Sequence, residues 1–186
     1  MNEIFHTAYQ IYRLKSYNRY NNKPRIQNEN VLEHISTVTL ISMLLSEKFK
    51  NVDKHRILQL ALIHDIGELF IGEVPKTIKD RFPELKSILE KCEFESLSEF
   101  FPNYDFLVRE WVEGKSTESK IVKLADKISV LLYSSRESKL GNSLMREIFQ
   151  KTFDELKLLV SSSDIFSDIQ IDNQDAEIFL EINTEE

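Results

Sequence analysis

The stretch from Leu60 to Phe70, LALIHDIGELF, decides how this chain reads. It follows Asp53, a residue type that caps helix N-termini, and runs through Ile57, Leu58, Leu60, Ala61 and Ile63 at helical spacing into His64 and Asp65. Polar groups at the end of so apolar a segment need partners, because burying an unsatisfied imidazole or carboxylate is costly. His64 and Glu68 stand four residues apart, which on a continuous helix puts them on one face, with Asp65 about 100° round the axis. Imidazole and carboxylate donors so disposed suit manganese, iron, cobalt, nickel or zinc. One helix supplies too few donors for a tight site, so other helices must contribute. Two more polar residues interrupt apolar helical patterns, His34 in ENVLEHIS and Asp126 in VKLADKISVLL. Singly, such residues are more often hydrogen-bonded core groups, caps or ion-pair partners. Together, His34, His64, Asp65 and Asp126 form a candidate ligand set. His6 and His55 fall in solvated surroundings and stay outside it.

Working outward, four glycines and four prolines punctuate 186 residues, and the apolar residues between them recur with helical period. The chain therefore reads as all α, with about six to eight helices. Ile4, Ala8, Ile11, Tyr12 and Leu14 give a first amphipathic helix, and NNKPRIQNEN, residues 21–30, reads as a loop. A second helix is expected from about Asn30 to Phe49, a third from Asp53, and others near 83–101, 104–113, 117–139 and 143–160. The length suits one domain over residues 1–165, with a C-terminal extension, 166–186, that has room for one helix and a frayed acidic end.

Composition bounds the function. With 41% hydrophobic and 30% charged residues and no run of about 18 apolar residues, the chain is expected to be soluble and not to span a membrane. Its opening, MNEIFHTAYQIYRLKS, lacks the apolar core of a secretory signal, so the expected compartment is the cytoplasm. A single cysteine, Cys92, excludes an internal disulfide and a cysteine-rich zinc site. The net charge of −7 argues against broad nucleic-acid binding.

The order His34, His64–Asp65, Asp126 resembles the H…HD…D signature of the HD phosphohydrolase superfamily. More specific are Arg19–Tyr20, ENVLEH at 29–34, HDIGELFIGEVPKTIK at 64–79 and KIVKLADKI at 120–128. Over roughly residues 10–140 these are similar to the bacterial 5′-deoxyribonucleotidases of that superfamily and their eukaryotic HD-domain relatives. The resemblance implies a compact HD-domain helical bundle, a homodimer, and one divalent metal (cobalt, manganese, iron, zinc or magnesium) held by the four candidate ligands. It implies that Glu68 assists catalysis and that Arg19 contacts the substrate, a (deoxy)nucleoside 5′-monophosphate. Tyr20 stands where the bacterial enzymes place a tryptophan, and Glu73 where they place an aspartate in a G-D-x-P segment; both positions line the nucleotide site in that family. A tyrosine still stacks on a sugar but adds a hydroxyl, so 2′-deoxy preference is a softer expectation than phosphate release.

The chemistry is self-consistent. A divalent cation neutralises phosphate oxygens and lowers the pKa of bound water, a planar arginine forks onto phosphate, and a carboxylate beside the metal orients water or protonates the leaving 5′-oxygen. A deoxynucleoside triphosphohydrolase, releasing triphosphate, shares the same ligands, and Arg13, Lys15, Arg19, Lys23 and Arg25 supply cations for it. A non-catalytic, metal-stabilised binding protein is the alternative from another class; Glu68 distinguishes it, since a structural site needs no carboxylate beside an open coordination position.

Overall fold

Short polar residues set where the helices begin. The computed structural model describes residues 1–72 and 74–181. Asn30 caps helix α2 (Val31–Ser46) through a reciprocal capping box: its side chain accepts from the Glu33 N–H at 3.0 Å, and Glu33 accepts from the Asn30 N–H at 2.9 Å. Asp53 caps α3 (Lys54–Ile63) by accepting from the Arg56 N–H at 3.0 Å. Its own N–H donates to Glu118 at 3.0 Å.

Ahead of these lie α1 (Asn2–Arg13) and a 3₁₀ turn, Leu14–Ser16. After them come α4 (Glu68–Ile71), α5 (Lys76–Arg81), α6 (Pro83–Phe100), α7 (Asp105–Glu113), α8 (Thr117–Lys139), α9 (Leu144–Ser161) and α10 (Asn173–Glu181). The fold is all α, as expected, and eight of these helices run nine residues or longer. Among the described residues the β structure is one isolated antiparallel bridge, Asn18 to Asn30. No helix among them is long and apolar enough to cross a membrane.

The contacts divide the chain into two units. The first comprises Met1–Lys23 and Asn28–Val122. Its core includes Leu14, Val31, Ile35 and Leu69, with Ile11, Tyr17, Leu32, Ile66 and Phe70 packed against them. Burying each such side chain stabilises by about 1.5–3 kcal/mol. Only part of α1's apolar face serves this core, since Ile4, Phe5, Tyr9 and Tyr12 remain exposed. Arg56 clamps α3 to α7, its Nε donating to Glu110 at 2.7 Å, and α7 ends at Gly114, whose φ of 62° is the left-handed stop that glycine adopts freely.

The second unit comprises Pro24–Gln27 and Lys123–Glu186. Leu131, Met145, Phe149, Phe153, Leu156 and Phe166 are buried in it, Phe149 and Phe153 stacking at 6.1 Å. Lys127 pairs with Glu155 at 2.5 Å between α8 and α9. The Ser135 hydroxyl donates to the Phe179 carbonyl at 2.8 Å, tying α10, the helix expected in the tail, to α8.

Candidate functional site

The apolar periodicity predicts one helix running through His64 to Glu68, and here the structure differs. Helix α3 stops at Ile63, and residues 64–67 form a tight turn before α4. The N–H groups of Ile66, Glu68, Leu69 and Phe70 each bond the carbonyl three residues back, at 3.0–3.1 Å, the tighter 3₁₀ pattern. Gly67 permits the close packing. A Cβ there would lie 2.8 Å from Glu93 Cγ and 3.0 Å from Glu93 Cβ, so α6 crosses where only a bare backbone fits.

This turn delivers His64 and Asp65 to His34, which α2 supplies from one turn inside its capping box. Both histidines are buried, His34 completely. Nε2 of His34 and Nε2 of His64 lie 3.5 and 3.4 Å from the same oxygen, Oδ2 of Asp65. The Nδ1 of His64 lies 2.7 Å from the Ala61 carbonyl, an oxygen that can only accept, so Nδ1 bears a proton and donates. That bond fixes the ring with Nε2 facing Asp65. Two ring nitrogens converging on one carboxylate oxygen, one of them oriented through a backbone carbonyl, is a donor set that a divalent cation fits. The rings are edge to face at 5.3 Å, and Trp111 of α7 stands edge-on to His64 at 5.5 Å, walling the cluster on that side.

Charge follows geometry. Burial pushes the Asp65 carboxyl up, but the charge and hydrogen bond of His64, with the charges of His34 and Arg19, outweigh it and hold the group well below the ordinary carboxylate range. Asp65 is thus an anion facing imidazole nitrogens. Glu68 begins α4 one turn on, and its Oε2 is shielded from solvent.

Arg19 lies just ahead of the loop expected at residues 21–30. Its guanidinium pairs with Glu29 at 3.0 Å, both side chains 13% exposed, and its N–H donates to the Glu29 carbonyl at 2.9 Å. The Val31 N–H closes the loop's base on the Tyr17 carbonyl at 2.9 Å, and the Tyr17 hydroxyl donates to the Leu69 carbonyl at 3.2 Å. Tyr20 carries a φ of 56°, a left-handed conformation unusual for a bulky residue, and its ring lies 5.3 Å from the Arg19 guanidinium carbon.

Of the expected site residues, the structure brings His34, His64 and Asp65 together, with the Arg19 charge acting on Asp65. Asp126 lies in the second unit, half-buried on α8, one turn after the buried Val122 and on the same face of that helix. Glu73 lies outside the described residues. His6 and His55 are exposed, as expected.

Three contributors escape a reading of the sequence. Glu29 holds Arg19, and its one legible signal is its place at the head of ENVLEH. Trp111 is the chain's single tryptophan, with no motif around it. Glu93 is one of several acids on α6. Burial pushes its carboxyl up, the Lys79 charge opposing and the Asp65 and Glu90 charges adding to the rise.

Solved structures share this fold. A protein from Pyrococcus horikoshii OT3 aligns with a TM-score of 0.77 at 23% identity, over 96% of this chain and 99% of its own. The cyanophage S-2L HD phosphohydrolase DatZ, bound to dA and one catalytic Zn2+ ion, aligns with a TM-score of 0.66 at 17% identity, over 94% and 91%. In sequence, the 5′-deoxynucleotidase yfbR of Photorhabdus temperata is 31% identical over 150 residues, 70% of this chain and 73% of that protein. The chain belongs to the YfbR-like 5′-deoxynucleotidase family, whose model matches residues 6–172.

Proposed function

We propose that this chain is a metal-dependent 5′-nucleotidase that releases inorganic phosphate from deoxynucleoside 5′-monophosphates. The observation that carries the reading is the convergence of two imidazole nitrogens on one Asp65 oxygen in a chain of this family. His34, His64 and Asp65 would hold the metal, with Asp126 of α8 as fourth ligand. When bound, such a cation supplies a nucleophilic water near neutral pH and neutralises phosphate charge. Nitrogen-rich ligation favours zinc, cobalt, manganese or iron over magnesium.

The chain's own groups do the rest. The Arg19 guanidinium, held by Glu29, binds phosphate oxygens and orients the ester. Glu68, shielded beside the ligands, gives its proton to the departing 5′-oxygen. The Tyr20 ring walls the sugar, and Glu73 is proposed to reach a sugar hydroxyl. The catalytic domain spans residues 1–165, with 166–186 an extension, and the compartment is the cytoplasm. A second copy of the chain is the proposed partner, covering the exposed row Ile4, Phe5, Tyr9 and Tyr12.

Monophosphate is favoured over triphosphate because three of the four extra cations are engaged elsewhere. Arg13 donates to Gln10 at 2.7 Å, Lys15 donates to Tyr12, and the Arg25 charge acts on Glu137. The test is release of phosphate and of triphosphate from ribo- and deoxynucleoside mono- and triphosphates, each with manganese, cobalt, zinc or magnesium. Phosphate from deoxynucleoside 5′-monophosphates, with 3′-monophosphates left intact, is the expected result; triphosphate from dNTPs would overturn it.

A further inference from the structure

Residues 24–27 form the outer part of the loop that carries Arg19 and Tyr20, and apolar burial does not hold them, since Ile26 is 54% exposed. Their backbone is instead gripped by α8 and the turn after it. Glu137, 1% exposed, accepts from the Ile26 N–H at 2.9 Å and from the Gln27 N–H at 2.6 Å. The Asn142 amide donates both to Glu137 at 2.8 Å and to the Pro24 carbonyl at 2.9 Å. The Tyr133 hydroxyl donates to the Gln27 carbonyl at 2.8 Å. Four hydrogen bonds thus fasten a four-residue segment, a fifth bracing Glu137 from Asn142, and a carboxylate is the side chain that accepts from two successive N–H groups while offering no donor against them.

The covalent chain carries this constraint to the candidate recognition residues. On one side the Lys23 N–H bonds the Tyr20 carbonyl at 2.9 Å, closing the turn that holds Tyr20 at its left-handed φ of 56°. On the other side, two residues past Gln27, Glu29 holds the Arg19 guanidinium. Glu137 also lies on the same helix as Asp126, eleven residues on, about 16 Å of helical rise. One rigid element therefore bears both a proposed metal ligand and the anchor of the substrate loop.

We infer that Glu137 is a positioning residue for substrate recognition: by clipping residues 24–27 to α8 it sets the loop that presents Arg19 and Tyr20 to the nucleotide. This rests on the substrate-binding roles proposed above for those two residues. Glu137→Gln is the direct test, since it keeps the shape but sets an amide NH₂ against a backbone N–H. Asn142→Ala, at a half-exposed position, is the companion variant in case the first perturbs folding.

Two readouts are taken on the metal-loaded chain. Trypsin cleavage at Arg25–Ile26 should rise about tenfold in Glu137→Gln and less in Asn142→Ala, the scale of a lost charge-assisted bond; unchanged cleavage in both overturns the clip. The KM for a deoxynucleoside 5′-monophosphate should rise about tenfold with kcat within about twofold and bound metal unchanged, the signature of lost binding without lost chemistry. Faster cleavage with unchanged KM overturns the recognition role. A fall in kcat together with lost metal or lost helicity assigns Glu137 to the fold instead. Failure of the underlying reading looks different: the unaltered chain would then neither bind nor hydrolyse any monophosphate, and the inference would fall with it.

Discussion

Residues 64–71 and residues 17–31 act on one another at Asp65, yet they are held by different physics. The first segment is short, follows a helix, and sinks Leu69 into the unit's core while Ile66 and Phe70 pack against it. Its position is set by apolar burial, which is large and non-directional. The second segment has little to bury between Tyr17 and Val31. It is kept in place by backbone pairing at its base, by the Arg19–Glu29 ion pair, and by the hydrogen bonds to residues 24–27. The proposed metal ligands His64 and Asp65 stand on the first kind of support, and the proposed substrate contacts Arg19 and Tyr20 on the second. On that proposal, changes in the loop should alter recognition without disturbing the metal.

The comparison breaks if the two segments fail separately in the wrong way. His64→Ala should remove bound metal and lower turnover at least about 10³-fold, the several kcal/mol that a metal supplies, with helical circular dichroism preserved. Full metal occupancy in that variant would remove His64 from the ligand set. Glu68→Gln should keep metal and fold while kcat falls about 10²-fold; loss of metal instead would make Glu68 a ligand or its support.

Smaller effects are expected from the loop. Glu29→Gln weakens the hold on the Arg19 guanidinium and should raise KM about tenfold with metal content unchanged, the scale of a charged hydrogen bond. If kcat falls and KM does not, the loop belongs to the chemistry and not to recognition.

The smallest effect concerns stability. Burial pushes the Glu137 carboxyl up, but the Ile26 N–H, the Asn142 amide, the Gln27 N–H and the Arg25 charge together hold it below its ordinary value of 4.5. The unfolded chain then takes up the proton more readily than the folded one. Glu137 therefore contributes stability above that ordinary value and loses the contribution as pH falls through the lower folded value. The Tm gap between the unaltered chain and Glu137→Gln should narrow between about pH 7 and pH 3; a gap independent of pH would show that the carboxylate's charge is not what holds the loop.

Much of the site is legible in the residues themselves. His34, His64 and Asp65 stand out because each interrupts an apolar helical pattern, and the caps Asn30 and Asp53 are marked by residue type and position. The break after Ile63 is not legible, because Ile66, Leu69 and Phe70 continue the apolar spacing across the turn and periodicity cannot tell i−3 from i−4 bonding over so few residues. Sequence by itself determined the all-α class, the candidate ligands and the family, since helical period, capping chemistry and motif order are local properties of the chain. Tertiary structure decided that Glu29 faces Arg19, that Glu93 lies across Gly67, and that Glu137 meets the N–H groups of Ile26 and Gln27 from 111 and 110 residues away. Those pairings join residues that no local rule relates. Each depends on where packed helices deliver a side chain, and burial in a core acts on many residues at once, so no single residue type announces its distant partner.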